Sequence, residues 1–167
     1  MLSVKMNKLL NQQIASEAEA SNYYLSMASW AQAHGYNGVS KFLYKHSDEE
    51  RMHMLKLVHF VNDRGGRSEI PALKNFPGKF KSVRAVFEII LTHEVKVTAQ
   101  INDIVEACFK EKDYTTHNFL QWYLTEQIEE ETLAQALLDK LNLIGDDKGG
   151  MYLFDRDMET LSRTGAN

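Results

Sequence analysis

Both prolines of this chain, Pro71 and Pro77, fall in one glycine-containing stretch between Gly65 and Lys81, leaving long breaker-poor segments on either side. In those segments apolar residues recur every three or four positions, the period of helices with one buried face. Four long helices are predicted, over about 6–33, 39–64, 83–111 and 116–142, with Gly35/Gly38, Gly65/Gly66 and Gly145 as stops and Ser82 as an N-cap. A shorter fifth helix is predicted to begin near Met151 or Asp155 and to run to about Arg163. At 1.5 Å per residue each long helix spans roughly 40 Å, about the width of a compact chain of this size, so the four must lie side by side. Turns around Gly35–Gly38 and Asp113–Thr115 make two antiparallel hairpins. The middle connection, about sixteen residues, can run the length of the bundle and start the third helix at the same end as the second. The expected fold is all-α, a four-helix bundle with a long crossover between the second and third helices and a short C-terminal fifth helix, in a single domain over residues 1–167.

Projected at 100° per residue, the apolar stripes contain polar side chains. Glu17 falls among Leu10, Ile14, Tyr24 and Ala28 in the first helix. Glu50 falls on the second stripe, defined by Val39, Leu43, Met54, Leu57 and Val61, with His53 at its margin. Glu94 belongs to the third, with Val83, Phe87, Leu91, Ile101 and Val105, and Gln127 to the fourth, with Leu120, Leu124, Ala134 and Leu138 and with Glu130 at the margin. All are near mid-helix, so side-by-side packing collects them at one level. The halves of the chain then correspond: Glu17 answers Glu94, Glu50 answers Gln127, and His53 answers Glu130, an internal pseudo-twofold.

Four carboxylates in one apolar layer cost several kcal/mol each unless cations or protons compensate them, and the stripes supply no Lys or Arg. Two dications balance four carboxylates, and the i, i+3 spacing of Glu50 and His53 aims both at one centre. Carboxylate oxygens with one imidazole nitrogen suit iron or manganese better than calcium or structural zinc, and iron is the favoured occupant. Glu49 and Glu126 project beside this layer, at the margin of the core.

Other classes are disfavoured by composition. Nineteen Lys and Arg against 23 Asp and Glu leave a net charge of -4, no surplus with which to neutralise nucleic acid. Cys108 is the lone cysteine, which excludes an intrachain disulfide and reads as a small buried residue. No export signal is legible around Met1–Lys8 and no apolar run approaches a membrane span, so a cytoplasmic protein without membrane contact is expected.

The segments Glu17 with Tyr24, Asp48–Glu49–Glu50–Arg51–Met52–His53, Glu94, and Asn118–Phe119–Leu120–Gln121–Trp122–Tyr123 followed by Glu126–Gln127–Ile128–Glu129–Glu130 resemble those of the bacterial-type non-haem ferritins, over essentially the whole chain. That resemblance implies a ferritin-like fold and a ferroxidase centre. One iron would be held by Glu17, Glu50 and His53 and the other by Glu50, Glu94 and Glu130, with Glu50 bridging and Tyr24 and Gln127 alongside. It implies a third iron site at Glu49, Glu126, Glu129 and Glu130. It also implies oxidation of Fe(II) by dioxygen or peroxide and storage of ferric mineral inside a homo-oligomeric cage of 24 subunits.

The haem-carrying relatives have a second glutamate-x-x-histidine motif, where this chain has Glu130, and a haem methionine where it has Arg51. Met52 is one position off, a 100° rotation, so no haem is expected, and Met52 and Met54 read as packing residues. His46 and His93 likewise read as packing or surface residues. The competing function is a di-iron oxygenase or peroxidase acting on a small substrate, which the same ligands would support.

Overall fold

The computed structural model describes residues 1–72 and 74–164; Leu73 and the last three residues of the expected 1–167 domain lie outside the described residues. Five helices follow one another, α1 (Val4–Ala33), α2 (Asn37–Asp63), α3 (Val83–Glu111), α4 (Tyr114–Ile144) and α5 (Lys148–Thr164), and no strand occurs among the described residues. None of these helices is long and apolar enough to cross a membrane.

Capping side chains move several boundaries from where the apolar pattern puts them. The Ser3 hydroxyl accepts from the Met6 amide at 3.0 Å and starts α1 at Val4. Asp113 accepts from the Thr116 amide at 3.1 Å, so α4 begins at Tyr114 rather than 116. The Asp147 carboxylate accepts from the Gly150 amide, which starts α5 at Lys148, ahead of both predicted starts, Met151 and Asp155. α3 has its predicted limits because Ser82 caps it at Ala85, 3.1 Å, and Lys112 closes it in the left-handed region at φ 56°.

Gly35, at φ +83°, makes the turn between α1 and α2. Gly38 is not a stop: it lies inside the first turn of α2, where a Cβ would stand 1.7 Å from the backbone oxygen of Asp155 in α5. This close approach brings the Asp155 carboxylate onto the Val39 amide at 2.9 Å, capping α2 from a distant segment, and Lys41 reaches Glu159 at 2.6 Å. Phe154 and Met158 of α5 are buried in the main core.

α1 packs along α2 and α3 along α4, with α1 also meeting α3 and α5 lying mainly on α2. The crossover climbs α1 in order. The Asn7 side chain accepts from the Arg67 amide at 3.0 Å and the Asn11 side chain from the Glu69 amide at 2.6 Å. Further up, Lys74 pairs with Glu19 at 2.8 Å, and the Ser26 hydroxyl donates to the Pro77 carbonyl at 2.7 Å. The chain thus leaves the end of α2 and returns to the end where α2 began, and α3 runs parallel to α2.

A continuous seam of buried positions alternates by four and three. In α1 it runs 6, 10, 13, 17, 20, 24, 27 and 31, flanked by buried Ile14, Ser16, Ala28 and Trp30, and in α3 it runs 83, 87, 90, 94, 97, 101, 104 and 108, flanked by buried Val86 and Ala107. This 3.5-residue period is that of helices coiling about one another, and it drifts about 20° per heptad from a straight projection. The drift leaves Leu91, Val105, Leu124 and Leu138 half-buried while Ile90, Ile104, Tyr123 and Leu137 take the seam. Met54 is buried as expected, but Met52 is 60% exposed and does not pack in the core. Cys108 is buried, and burial raises its thiol pKa to about 11, in keeping with a packing role.

The core is divided into two apolar blocks. One contains Met27, Phe42, Phe87, Leu137 and Phe154; the other contains Leu10, Leu57, Ile101, Leu120 and Tyr123. Replacing Gly38 with alanine must push α5 off the start of α2, removing the Asp155 cap and opening the apolar block beneath it. A loss of about 2–3 kcal/mol is expected, the range for overpacking a tight contact. Thermal unfolding checks the loss, and limited proteolysis should cut between α4 and α5 in the variant before wild type.

Candidate metal centre

Between the two apolar blocks each helix interrupts its seam with polar residues: α1 between Ile14 and Tyr24, α2 between Leu43 and Met54, α3 between Ile90 and Val97, and α4 between Tyr123 and Ala134. Glu17, Glu50 and Glu94 are only 1–3% exposed, His53 and Gln127 are buried, and the Glu130 side chain is 12% exposed. These are the residues that the stripes single out, gathered into one layer.

Within it, one ligand-type atom each from Glu17, Glu50 and His53 lies within 4.8 Å of the other two, and Glu50 Oε2 is 3.4 Å from His53 Nδ1. A second such group joins His46, Glu49 and Glu130. Glu94 is gripped from both sides: the Tyr24 hydroxyl donates to Oε1 at 3.0 Å, and the Gln127 amide donates to Oε2 at 3.4 Å. Glu49 and Glu126 are half-buried beside the layer and Glu129 is exposed. Among the described residues, Glu126 and Glu129 enter neither group of three.

Sequence reasoning missed three supports of this layer. The Gln13 amide donates to Glu17 Oε1 at 2.8 Å from a position 1% exposed; its signal was a polar residue four before Glu17, on the same seam. The Tyr123 hydroxyl donates to the His53 carbonyl at 2.7 Å, and Trp122 meets the His53 ring edge-on at 5.2 Å. His46 does pack, with its ring 3.9 Å from Phe42, but it also faces the layer. Its Nδ1 is 3.0 Å from the Phe42 carbonyl, which only accepts, so Nδ1 carries the proton and Nε2 presents a lone pair 3.9 Å from Glu130. Burial holds the His46 pKa below its ordinary value and favours this neutral form.

The charges are unequal. Burial, with the charge of Glu50 next, holds Glu17 well above the ordinary glutamate range, and burial with the charge of Glu94 does the same to Glu50. One carboxylate oxygen of Glu17 lies within 4.8 Å of one of Glu50, so a proton or a cation between them relieves their repulsion. Burial and the charge of Glu94 push Glu130 up to about 8. For Glu94 itself burial also acts upward, but neighbouring His93, the Tyr24 hydroxyl and the Gln127 amide outweigh it and keep the carboxyl below its usual range. The ion-pair partners of the layer are histidines alone among the described residues. Four carboxylates with imidazole nitrogens, lacking Lys or Arg, are a donor set that divalent cations compensate, and it fits iron.

Comparison with known proteins agrees with this geometry. The family model described as "Ferritin-like domain" matches residues 7–144. A probable bacterial non-heme ferritin-like protein of Haemophilus influenzae is 44% identical over 162 residues, covering 97% of this chain and 98% of its own. The bacterial non-heme ferritin of Campylobacter jejuni is 42% identical, covering 97% of each. The open pore ferritin of Archaeoglobus fulgidus superimposes with a TM-score of 0.93 at 42% identity, covering 95% of this chain and 98% of that one. With its four helices, its crossover and its buried carboxylate layer, this chain belongs to the ferritin family of iron-storage proteins, among the bacterial-type non-haem members.

Proposed function

We propose that this protein oxidises Fe(II) with dioxygen or peroxide at an intrasubunit di-iron ferroxidase centre and stores the ferric product as mineral inside a cage of 24 copies in the cytoplasm. The observation that carries this reading is the layer of buried carboxylates and histidine with no lysine or arginine among the described residues paired to it. Iron is the substrate. Glu17, Glu50 and His53 hold one Fe(II), Glu50, Glu94 and Glu130 the other, and Glu50 bridges, so that two one-electron losses serve one oxidant molecule. Anionic oxygen ligands favour Fe(III) over Fe(II) and make each loss easier. Tyr24 and Gln127 fix the Glu94 carboxylate for this role, each through the hydrogen bond it donates to that group.

Glu49, Glu126, Glu129 and Glu130 are proposed to hold a third iron, through which product leaves the pair. The grouping of Glu49 with Glu130 supports this reading. The likeness to non-heme ferritins over nearly the whole chain favours storage over a small-molecule oxygenase.

Removing the bridge in Glu50→Ala should abolish fast paired oxidation at low iron load, a drop of at least about 100-fold, while leaving the fold intact because it relieves buried charge. Stopped-flow absorbance is the measurement, and a variant as fast as wild type would refute the assignment. Anaerobic Fe(II) titration of wild type should reach three irons per subunit, and two in the Glu49→Ala/Glu126→Ala variant; equal counts would remove the third site.

Metal must also displace the protons that the layer holds at neutral pH. Glu17, Glu50 and Glu130 have raised pKa values, so between the ordinary glutamate value of 4.5 and about 8 the folded, metal-free protein binds more protons than the unfolded chain. Its stability therefore falls as pH rises through that window. Glu94, shifted the other way, acts only below 4.5, and His46, held below its ordinary 6.5 by burial, opposes the fall only below 6.5, one proton against three. Chelator-treated protein should melt several degrees lower at pH 8 than at pH 5.5, and zinc should restore it most at pH 8; a flat or rising profile would contradict the buried-proton account.

A further inference from the structure

Behind Gln127 the hydrogen bonds continue outward through two residues to which the proposed function gives no part. The Gln127 Nε2 lies 3.2 Å from the hydroxyl of Thr98 in α3, 3.2 Å from the Glu94 carbonyl and 3.4 Å from Glu94 Oε2. The Thr98 hydroxyl in turn donates to Glu131 Oε1 of α4. Thr98 and Glu131 are both half-buried, at the outer edge of the layer.

The donor inventory fixes the direction of this chain. A carboxylate only accepts, so the single Thr98 proton is committed to Glu131, and the Thr98 oxygen meets Gln127 as an acceptor. The amide must therefore turn its NH2 toward Thr98. One hydrogen goes to Thr98 and the other is shared between the Glu94 carbonyl and carboxylate at 3.2 and 3.4 Å, both at the long end of the normal range. With Thr98 silent, that long shared contact alone would hold the amide.

We propose that Thr98 and Glu131 are positioning residues that lock the amide orientation of Gln127 and, through it, the Glu94 carboxylate at the second metal position. This inference rests on the di-iron reading above. It assigns Glu131, a carboxylate outside the proposed ligand set, the task of setting a hydroxyl's polarity rather than holding iron. Outer hydrogen-bond partners of metal ligands typically govern affinity by ten- to a hundredfold.

The test uses the full-length, chelator-treated assembled protein titrated anaerobically with Co(II), whose absorption reports each bound ion without oxidation. Wild type should bind the pair, besides an ion at the proposed third position, and Glu94→Ala should remove one step of the pair. Thr98→Val should weaken that same step about tenfold and leave the other within about twofold. Thr98→Ser, which keeps the hydroxyl, should restore it. Glu131→Leu should match Thr98→Val, and the double variant should be no weaker than either single one, because the two act in series. Unchanged Co(II) affinity in Thr98→Val, equal losses in Thr98→Val and Thr98→Ser at wild-type helicity, or additive losses in the double variant would each overturn the relay. Wild-type protein that binds no Co(II) pair would instead overturn the di-iron reading beneath it, an outcome distinct from failure of the relay alone.

Discussion

Charge placed where water cannot reach it is the constraint on which this molecule depends. Glu17, Glu50 and Glu94 are nearly inaccessible, and their closest polar neighbours are hydrogen-bond donors and other carboxyls rather than fixed cations. Such a layer survives folding only when something else makes up the deficit. The two apolar blocks that sandwich it do so structurally, with Leu10, Leu57 and Ile101 on one side and Phe42, Phe87 and Leu137 on the other. Protons do so chemically in the metal-free protein, and dications replace them. The same arrangement that makes the layer costly suits it to the role of Fe(II) receptor proposed for it.

The four parts of the layer are not equivalent, although the two halves of the chain correspond. Where the first half offers Glu50, the second offers Gln127, a neutral amide that donates where a carboxylate can only accept. His93, the Tyr24 hydroxyl and the Gln127 amide hold Glu94 below the usual carboxylate range, whereas burial and the charge of Glu50 hold its counterpart Glu17 well above it. One side of the centre is charged in advance and the other becomes charged on loading. The Gln127 amide, standing where the first half has Glu50, adds to this asymmetry beside His93 and Tyr24, and the outward hydrogen bonds of Thr98 and Glu131 hold that amide.

Much of this was legible in the sequence, for definite reasons. Glu17, Glu50, Glu94 and Gln127 occupy seam positions near mid-helix, where a drift of 20° per heptad has not yet accumulated, so a straight projection finds them. Farther out the same projection picks Leu138 where the structure buries Leu137. Gln13 escaped because a glutamine near the start of a helix reads as surface, and only coiling of the seam shows it to be inside. The limits of α3 were readable because Ser82 announces its start; those of α5 were not. The start of α5 depends on the Asp147 cap on Gly150, and the helical place of Gly38 depends on a contact with α5 more than a hundred residues away. No periodicity encodes a contact of that range.

The ordered ties between the crossover and α1 bear on the route by which the chain reaches its fold. α1 with α2, and α3 with α4, are linked through residues 34–36 and 112–113, so each hairpin closes at small entropic cost and needs nothing from the other. Their union requires residues 64–82 to be laid along α1, fastened in turn at Asn7, Asn11, Glu19 and Ser26. Contacts between hairpins are the non-local ones, and they set the slower timescale. Glu17 meets Glu50 within the first hairpin, whereas Glu94 and Gln127 reach each other in the second. Union of the hairpins brings the two half-sites face to face, so the repulsion between Glu50 and Glu94 belongs to that step, whereas that between Glu17 and Glu50 already falls within the first hairpin.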